Sequence, residues 1–366
     1  MEIIKGKFAE AYVYTDDIEE YASAQIKMIL DNDVSKGSKV RVMPDVHPGK
    51  VGPIGLTMTV GDKILPSLLG IDIGCGMLLC RLRTKGMEFS KLDKVIMENI
   101  PSGYDIRKKP LHDADNGLLD ELYCKDHIDA GKALRSLGTL GGGNHFIEVD
   151  TSDGDKYLMI HSGSRHLGKE VSEYYLNKGR QEGVPYEMTY LTGTLMDNYI
   201  HDVEVLCEFA SYNRRLILNE ILKGMKWKEE ECIESVHNYL GRLPDGKLIL
   251  RKGSISALDG QDTVIPINMR DGVILGKGKG NPEWNYSAPH GSGRKIRRDE
   301  VKNSYTLSSF KADMKGIYSP SVSKDTLDEA PVAYRNMEDI LSKIEKTVKV
   351  SRILRPVYNF KAGNRR

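Results

Sequence analysis

The chain reads as a single α+β domain over residues 1–366, with mixed and antiparallel sheets flanked by helices around a central cleft. Three observations predict this. Short β-branched runs punctuated by Gly and Pro occur in both halves, long stretches of helical periodicity lie between them, and neither a linker nor a repeat separates the halves. Glycine-rich runs holding Asp, Cys and His also lie in both halves, and a two-domain split would have to bring them together again.

Thr15 followed by Asp16 and Asp17 predicts a helix start, with Ile18, Ala22, Ile26 and Ile29 on one face. From Lys39 to Asp72 the runs VRVMPDV, GPIGLTMTV and KILPSLLG predict strands joined by tight turns. Residues Met87 to Arg135 read as mainly helical and polar, and FIEVD and YLMIHSGS as two strands. Met196 to Met225 predicts one long helix. KLILRKGSI, TVIPINM and GVILGKG predict a second group of strands, and Met337, Ile340, Leu341, Ile344 and Val348 predict a last amphipathic helix.

A chain of 366 residues can bury a substantial core, and 53 Lys+Arg against 52 Asp+Glu leave a formal net charge of +1. Bulk charge therefore announces no nucleic-acid partner, and any such surface must be a local patch. No signal peptide or membrane span is visible, since the most apolar stretch, around Ile64 to Cys80, is broken by Asp72 and glycines. Cys75, Cys80, Cys124, Cys207 and Cys232 are odd in number, scattered and without a CxxC pair, which argues against a disulfide framework and for a reducing cytoplasm.

Three runs concentrate the chemistry: GIDIGCGM (Gly70 to Met77), GGGNHFIE (Gly141 to Glu148) and SAPHGSGR (Ser287 to Arg294). A thiolate, imidazoles and a carboxylate suit divalent transition metals, while Mg2+ prefers oxygen alone. Convergent backbone N–H groups in glycine-rich loops suit a phosphate. Asp72 and Cys75 stand three apart, so one cation could take both, and a thiolate can bridge two cations; alternatively Cys75 is a small buried hydrophobe. Among nine histidines, His145, His161, His237 and His290 have compact polar or glycine-flanked contexts. His112, His127 and His201 read as solvated helix surface, and His166 is a weaker candidate for substrate contact. Asp45 and His47, in MPDVHPGK, follow a strand, where a carboxylate could orient a metal-bound imidazole. RKIRR, from Arg294 to Arg298, is either a solvated face or a seat for a polyanionic backbone.

Taken in order, MPDVHPG, GIDIGCGM, GTLGGGNHFIE, HSGSR, HNY, RKG, SAPHGSGR and DEAPVAYRN resemble the RtcB-type RNA ligases, from about Met43 to Gly363. The resemblance implies GTP- and Mn2+-dependent joining of RNA ends bearing a 2′,3′-cyclic phosphate or 3′-phosphate to 5′-hydroxyl ends, in RNA repair or tRNA splicing. It implies His290 as the nucleophile that becomes guanylylated. Two Mn2+ ions are implied, one on Asp72, Cys75 and His145, the other on Cys75, His161 and His237. Nucleotide contacts are implied for Asn144, Glu148, Asn238, Asn268, Ser292, Gly293, Arg294, Tyr334 and Lys361, and an archease-like activator is a family partner. Lys361 implies that the chain end folds back into the nucleotide site.

One departure is visible. IPINMRDG puts Ile267, Asn268 and Arg270 where the family carries a small glycine- and serine-containing turn against the nucleotide phosphates, and bulk there alters close backbone approach. Asn268 could still donate to phosphate, and Arg270 could add charge. A binuclear cyclic phosphodiesterase that has lost nucleotide transfer is the alternative, and a noncatalytic RNA-binding scaffold is the third reading.

Overall fold

The computed structural model describes residues 1–115 and 117–362 and is an α+β structure built on two large sheets. One has six strands, in the spatial order Glu2–Lys5, Glu10–Val13, Val40–His47, Ile54–Thr59, Leu248–Lys252 and Asn238–Arg242. The other has seven, in the order Asp262–Asn268, Gly272–Gly278, Val348–Lys361, Phe146–Ser152, Asp155–Ser162, Gly76–Arg83 and Lys228–Val236. Ser254–Ser256 and Ser287–Pro289 pair as a separate two-stranded antiparallel ribbon.

The first helix spans Glu20–Leu30 and buries Ala22, Ile26, Ile29 and Leu30. It starts later than Thr15 because the Thr15 hydroxyl accepts from the Asp17 N–H, 3.2 Å away, closing a local turn instead of capping a helix. KILPSLLG also departs from its strand expectation. Pro66–Leu69 is a short helix with proline in its first turn, where a missing N–H costs nothing. Between Met87 and Arg135 the helices are Phe89–Asn99, Leu118–Glu121 and Ala130–Ser136, separated by irregular chain.

Gly193–Met225 forms a helix of 33 residues, as its periodicity predicts. Its first half buries Met196, Tyr199, Val203, Leu206 and Phe209 in one apolar cluster, and its last turns bury Ile217, Leu218, Ile221 and Met225 in another. The two cores are thereby joined through one rigid element.

The last helix ends at Ile344, and Val348 opens a 14-residue strand absent from the sequence reading. Its first half, Val348–Leu354, pairs with Gly272–Gly278 and its second half, Arg355–Lys361, with Phe146–Ser152, so the chain end runs along the strand that follows His145. Cys80 and Cys232 correct the cysteine reading. They face each other on adjacent antiparallel strands with Cα atoms 4.1 Å apart and are joined by a disulfide, while Cys75, Cys124 and Cys207 are free. Their separation of 152 residues carries no spacing signal. Among the described residues no helix is long and apolar enough to cross a membrane.

The middle of the long helix carries two buried polar residues. Arg214 donates to the carbonyls of Gly74 (2.8 Å) and Ser162 (2.6 Å) and to the Glu234 carboxylate (2.8 Å). Asn213 accepts from the Gly138 N–H (2.8 Å) and donates to the Thr139 carbonyl (3.1 Å). Arg214→Met keeps the bulk and removes the donors. Two buried carbonyls then lose their partners, and we expect a loss of about 2–4 kcal/mol of stability, read as a lowered urea midpoint; an unchanged midpoint would show that these bonds are dispensable.

Candidate active site

Four neighbouring strands of the seven-stranded sheet place four side chains at one edge. His145 precedes Phe146–Ser152, His161 is near the end of Asp155–Ser162, Cys75 precedes Gly76–Arg83, and His237 follows Lys228–Val236. Because the strands are antiparallel, start, end, start and end fall together. The register puts Met77 opposite His161 and Gly76 opposite Val236, and the His237 N–H donates to the Cys75 carbonyl at 2.9 Å. Asp72 joins from the turn before Cys75. Gly74 in that turn has φ of 72°, and a Cβ there would lie 2.9 Å from that of Ala210 on the long helix.

The Cys75 sulfur lies 3.1 Å from Nε2 of His161 and 3.4 Å from Nε2 of His145, and the latter is 3.6 Å from Asp72 Oδ2. Two triplets result, Asp72/Cys75/His145 and Cys75/His161/His237, each with its ligand atoms within 4.8 Å of one another. The Nδ1–H of His145 donates to the Leu140 carbonyl (2.9 Å) and that of His161 to the Asn144 carbonyl (3.1 Å). Both rings therefore turn an Nε2 lone pair toward the sulfur, as ligating imidazoles require. His237 keeps a buried Nδ1 with no hydrogen-bond partner among the described residues, a polar atom that a cation can satisfy. Burial holds His161 and His237 well below the ordinary imidazole range, so both are neutral, while burial and the Asp72 charge push the Cys75 thiol up. This soft, partly anionic donor set fits divalent transition metals.

Two cations that the sequence reading left without a role stand close by. Lys252, of the RKG run, donates to the Leu69 carbonyl (2.7 Å), and burial lowers it to about 8 against the attraction of Asp72 and Cys75. Arg165, of HSGSR, is also drawn to Asp72 and Cys75 and holds a left-handed φ of 60°. Arg165 stands in the same short run as His161, whereas Lys252 has no ligand near it in sequence and is brought in by the fold alone.

His290 sits next to this edge, its ring centroid 4.8 Å from that of His237. Asp45 is fully buried, and its Oδ2 accepts from His290 Nδ1 at 2.7 Å and from the main-chain N–H groups of His290 (3.2 Å) and Gly291 (3.3 Å). The Nδ1 proton is thus fixed and Nε2 keeps its lone pair. Asp45 was expected to orient a metal-bound imidazole; its carboxylate instead holds His290, and His47 meets only the Asp45 main-chain carbonyl (2.9 Å). Burial lowers His47 to about 4, so it too is neutral.

A cleft of about 490 Å³ opens from His161 and His290 and is lined by His47, Asn144, Glu148, Asn268, Ser292, Gly293, Arg294, Tyr334 and Lys361 among others. Arg294 stacks over the Tyr334 ring at 5.0 Å and donates to the Asp328 carbonyl at 2.7 Å. The Tyr334 hydroxyl donates to Glu329 (2.6 Å), which also receives Lys361 and Arg298. Although burial opposes it, these cations hold Glu329 down to about 2. Glu148 takes the Asn359 amide at 2.5 Å, and burial raises its carboxyl to about 7. Asp150 beside it is fully buried, and burial and the neighbouring Glu148 carboxyl push it well above the carboxylate range.

Some expected contacts are spent elsewhere. Asn238 does not line the cleft; its amide donates to the Asp72 carbonyl (3.2 Å) and accepts from the Gly253 N–H (2.9 Å). Asn268 lines it, but its amide donates to Asp271 (2.8 Å) and accepts from the Arg270 and Asp271 N–H groups. Arg270 pairs with Asp271 and Asp313 in an adjoining hollow, so its charge is met there, and one Asn268 amide N–H is taken by Asp271. His166 pairs with Glu170 (2.9 Å), His112 is exposed beside Asp113, His127 stacks on Tyr174, and His201 meets the edge of Tyr123.

An α+β scaffold that gathers Asp, Cys and three His at one sheet edge, beside a carboxylate-held histidine in a cleft lined with Arg and Lys, has the donor set of a metal-binding enzyme. The chain belongs to the tRNA-splicing ligase RtcB family, whose model matches residues 33–127 and 123–362. It is 30% identical over 369 residues to RNA-splicing ligase RtcB1 of Escherichia coli, covering 87% of this chain and 88% of that protein. Identity to RNA-splicing ligase RtcB of Escherichia coli K12 is 29% with the same coverage. With tRNA-splicing ligase RtcB of Aeropyrum pernix it is 26%, over 95% of this chain and 94% of that one.

Gly293 has φ of 71°, and a Cβ there would lie 2.2 Å from the Asp45 carbonyl oxygen. Gly293→Ala is expected to cost about 1–3 kcal/mol through left-handed strain and to part the His290 loop from Asp45. Thermal melts and His290 reactivity toward diethyl pyrocarbonate would read both effects; a variant unchanged in both would contradict the close approach.

Proposed function

We propose that this protein is an RNA ligase that joins 2′,3′-cyclic phosphate or 3′-phosphate ends to 5′-hydroxyl ends, using GTP and Mn2+ through a guanylylated His290. The observation that carries the reading is the bond between Asp45 and His290 Nδ1, which leaves Nε2 free beside the metal-type cluster. Nε2 attacks the α-phosphorus of GTP, an N–P bond forms, and pyrophosphate leaves. Asp45 keeps the Nδ1 proton in place and stabilises the charge the ring gains. A 2′,3′-cyclic phosphate is first opened by water, which breaks the P–O2′ bond and leaves a 3′-phosphate; that phosphate takes the GMP from His290, and the 5′-hydroxyl oxygen then attacks its phosphorus and releases GMP.

Asp72, Cys75 and His145 would hold one Mn2+, and Cys75, His161 and His237 the other. Bound there, the ions neutralise phosphate charge and align attacking and leaving groups. Arg294, Tyr334 and Lys361 frame the nucleotide, Ser292 and Gly293 shape the turn after the nucleophile, Asn144 sits at the mouth, and Glu148 accepts from the base. Family resemblance alone supports a cytoplasmic role in tRNA splicing or RNA repair, with an archease-like protein as candidate activator, since the Cys80–Cys232 disulfide removes the cysteine argument for that compartment.

Incubation with Mn2+ and GTP labelled at the α-phosphate should label the wild type and not His290→Ala, with no label from ATP. No adduct from either nucleotide at saturating Mn2+ would sink the reading. The self-satisfied Asn268 turn favours one second reading, a binuclear cyclic phosphodiesterase, which would open a 2′,3′-cyclic phosphate without GTP and join nothing.

Glu148 supplies a pH prediction. A carboxyl raised to about 7 is protonated below that pH, where it loses its charge and one acceptor oxygen and can no longer take two guanine N–H groups together. Guanosine, which carries no phosphate for a metal, should bind evenly above pH 7 and lose roughly ten-fold per unit below it. A flat calorimetric profile between pH 5.5 and 8.5 would remove Glu148 from base recognition.

A further inference from the structure

The turn Ser102–Gly103–Tyr104–Asp105 has no part in the reaction as described, yet it is mounted on the same segment that positions a metal-type ligand. Tyr104 is 90% exposed, the most exposed large apolar residue of the described chain, and makes no ring contact or hydrogen bond among the described residues. Its backbone is held firmly. The Pro101 carbonyl accepts from the Leu140 N–H (2.9 Å), the Gly103 N–H donates to the Gly141 carbonyl (2.9 Å), and the Asp105 N–H closes the turn on Ser102 (3.2 Å). Arg107 clamps the following residues, donating to the carbonyls of Asn99 (2.7 Å), Leu137 (3.1 Å) and Gly138 (2.9 Å). The Arg165 guanidinium reaches the Gly103 carbonyl at 3.4 Å.

Leu140 is the shared piece. Its N–H holds Pro101, and its carbonyl takes the Nδ1–H of His145. Tyr104 is therefore one residue from Gly103, whose partner Gly141 precedes His145 by four residues, at most about 14 Å of extended chain. Exposed Lys108 and Lys109 follow with no ion pair or hydrogen bond among the described residues, against the single charge of Asp105.

A solvated aromatic ring on a rigid turn, followed by free cations and placed beside the reacting centre, matches how single-stranded nucleic acid is held: a base stacks on the ring and phosphates meet the lysines. We propose that Tyr104 is the stacking platform for an unpaired nucleotide of the RNA next to the joined ends, with Lys108 and Lys109 holding its backbone. This rests on the ligase reading for the identity of the polymer. Tyr104 acts on the RNA alone and leaves nucleotide transfer to His290 untouched.

The test uses the full chain as wild type, Tyr104→Ala and Tyr104→Trp, with a fluorescent single-stranded oligouridylate as probe and GTP labelling of His290 run in parallel. Tyr104→Ala should weaken oligouridylate binding roughly ten-fold to a hundred-fold, the range that loss of one stacked base gives. Tyr104→Trp should bind as wild type, and all three should form the adduct at one rate. In joining assays Tyr104→Ala should raise the KM for RNA and leave kcat unchanged. Lys108→Ala and Lys109→Ala should each flatten the slope of log K against log salt by about 0.7. Unchanged binding in Tyr104→Ala, with the adduct intact, overturns the platform and leaves the ligase reading standing. Absence of adduct from wild type, with binding lost in Tyr104→Ala, removes the ligase reading and supports the platform.

Discussion

A buried guanidinium and a buried amide can place their hydrogen bonds only on groups that come to them, and in this protein those groups belong to the loops of the active site. Arg214 is fully buried, and leaving its charge unpaired there would be costly. It is satisfied by Gly74 in the Asp72–Cys75 turn, by Ser162 beside His161, and by Glu234 on the strand that leads to His237. Asn213 does the same for Gly138 and Thr139, just before the Leu140 carbonyl that orients His145. Two consecutive side chains on one helix thus set the relative positions of all four strand ends. Their helix is itself fixed in two apolar clusters, so the site inherits the rigidity of both cores.

The same economy appears at His290. One carboxylate oxygen of Asp45 gathers the imidazole and two main-chain N–H groups, which defines the ring's tautomer and the path of the SAPHGSGR turn together. Gly293 lets that turn lie against the Asp45 backbone. Both halves of the chain meet in this contact, which is why the chemistry can draw on motifs separated by over two hundred residues.

The metal-type cluster was legible because its members carry local marks: glycine neighbours for Asp72, Cys75 and His145, a strand end for His161, and a compact polar context for His237. The long helix was legible from its periodicity. Other features have no local mark. The partner of Asp45 lies 245 residues away, and before the fold is known His47 is the nearer choice. The last strand, VKVSRILRPVYNFK, mixes charges with apolar residues without clean alternation because both its neighbours and both sheet faces vary along it. Val348 continues the helical spacing of Met337 to Ile344, so the helix reading ran one residue type too far. The disulfide depends on strand register alone.

The altered turn after Pro266 bears on how the cleft meets a polyanion. Asn268, Arg270 and Asp271 bond to one another, and the Ser292 hydroxyl donates to the Ile267 carbonyl, so much of this wall's donor capacity is engaged internally. On the opposite wall Arg298 and Lys361 pair with Glu329 at close range, and Arg294 lies 3.6 Å from it. These three cations face Glu329 and Asp328, with Lys302 also on Asp328, which leaves a small positive excess in a network that is already assembled. Arg297 lines the cleft with no ion pair or hydrogen bond from its side chain among the described residues. Preassembled cations need no reorganisation when phosphate enters, which favours the charged transition state over the free ligand. With the Arg270 charge met by Asp271 and Asp313, the negative charge of a substrate falls to Arg297, to this network and to cations at the sheet edge, so phosphate recognition and the metal-type cluster are parts of one device.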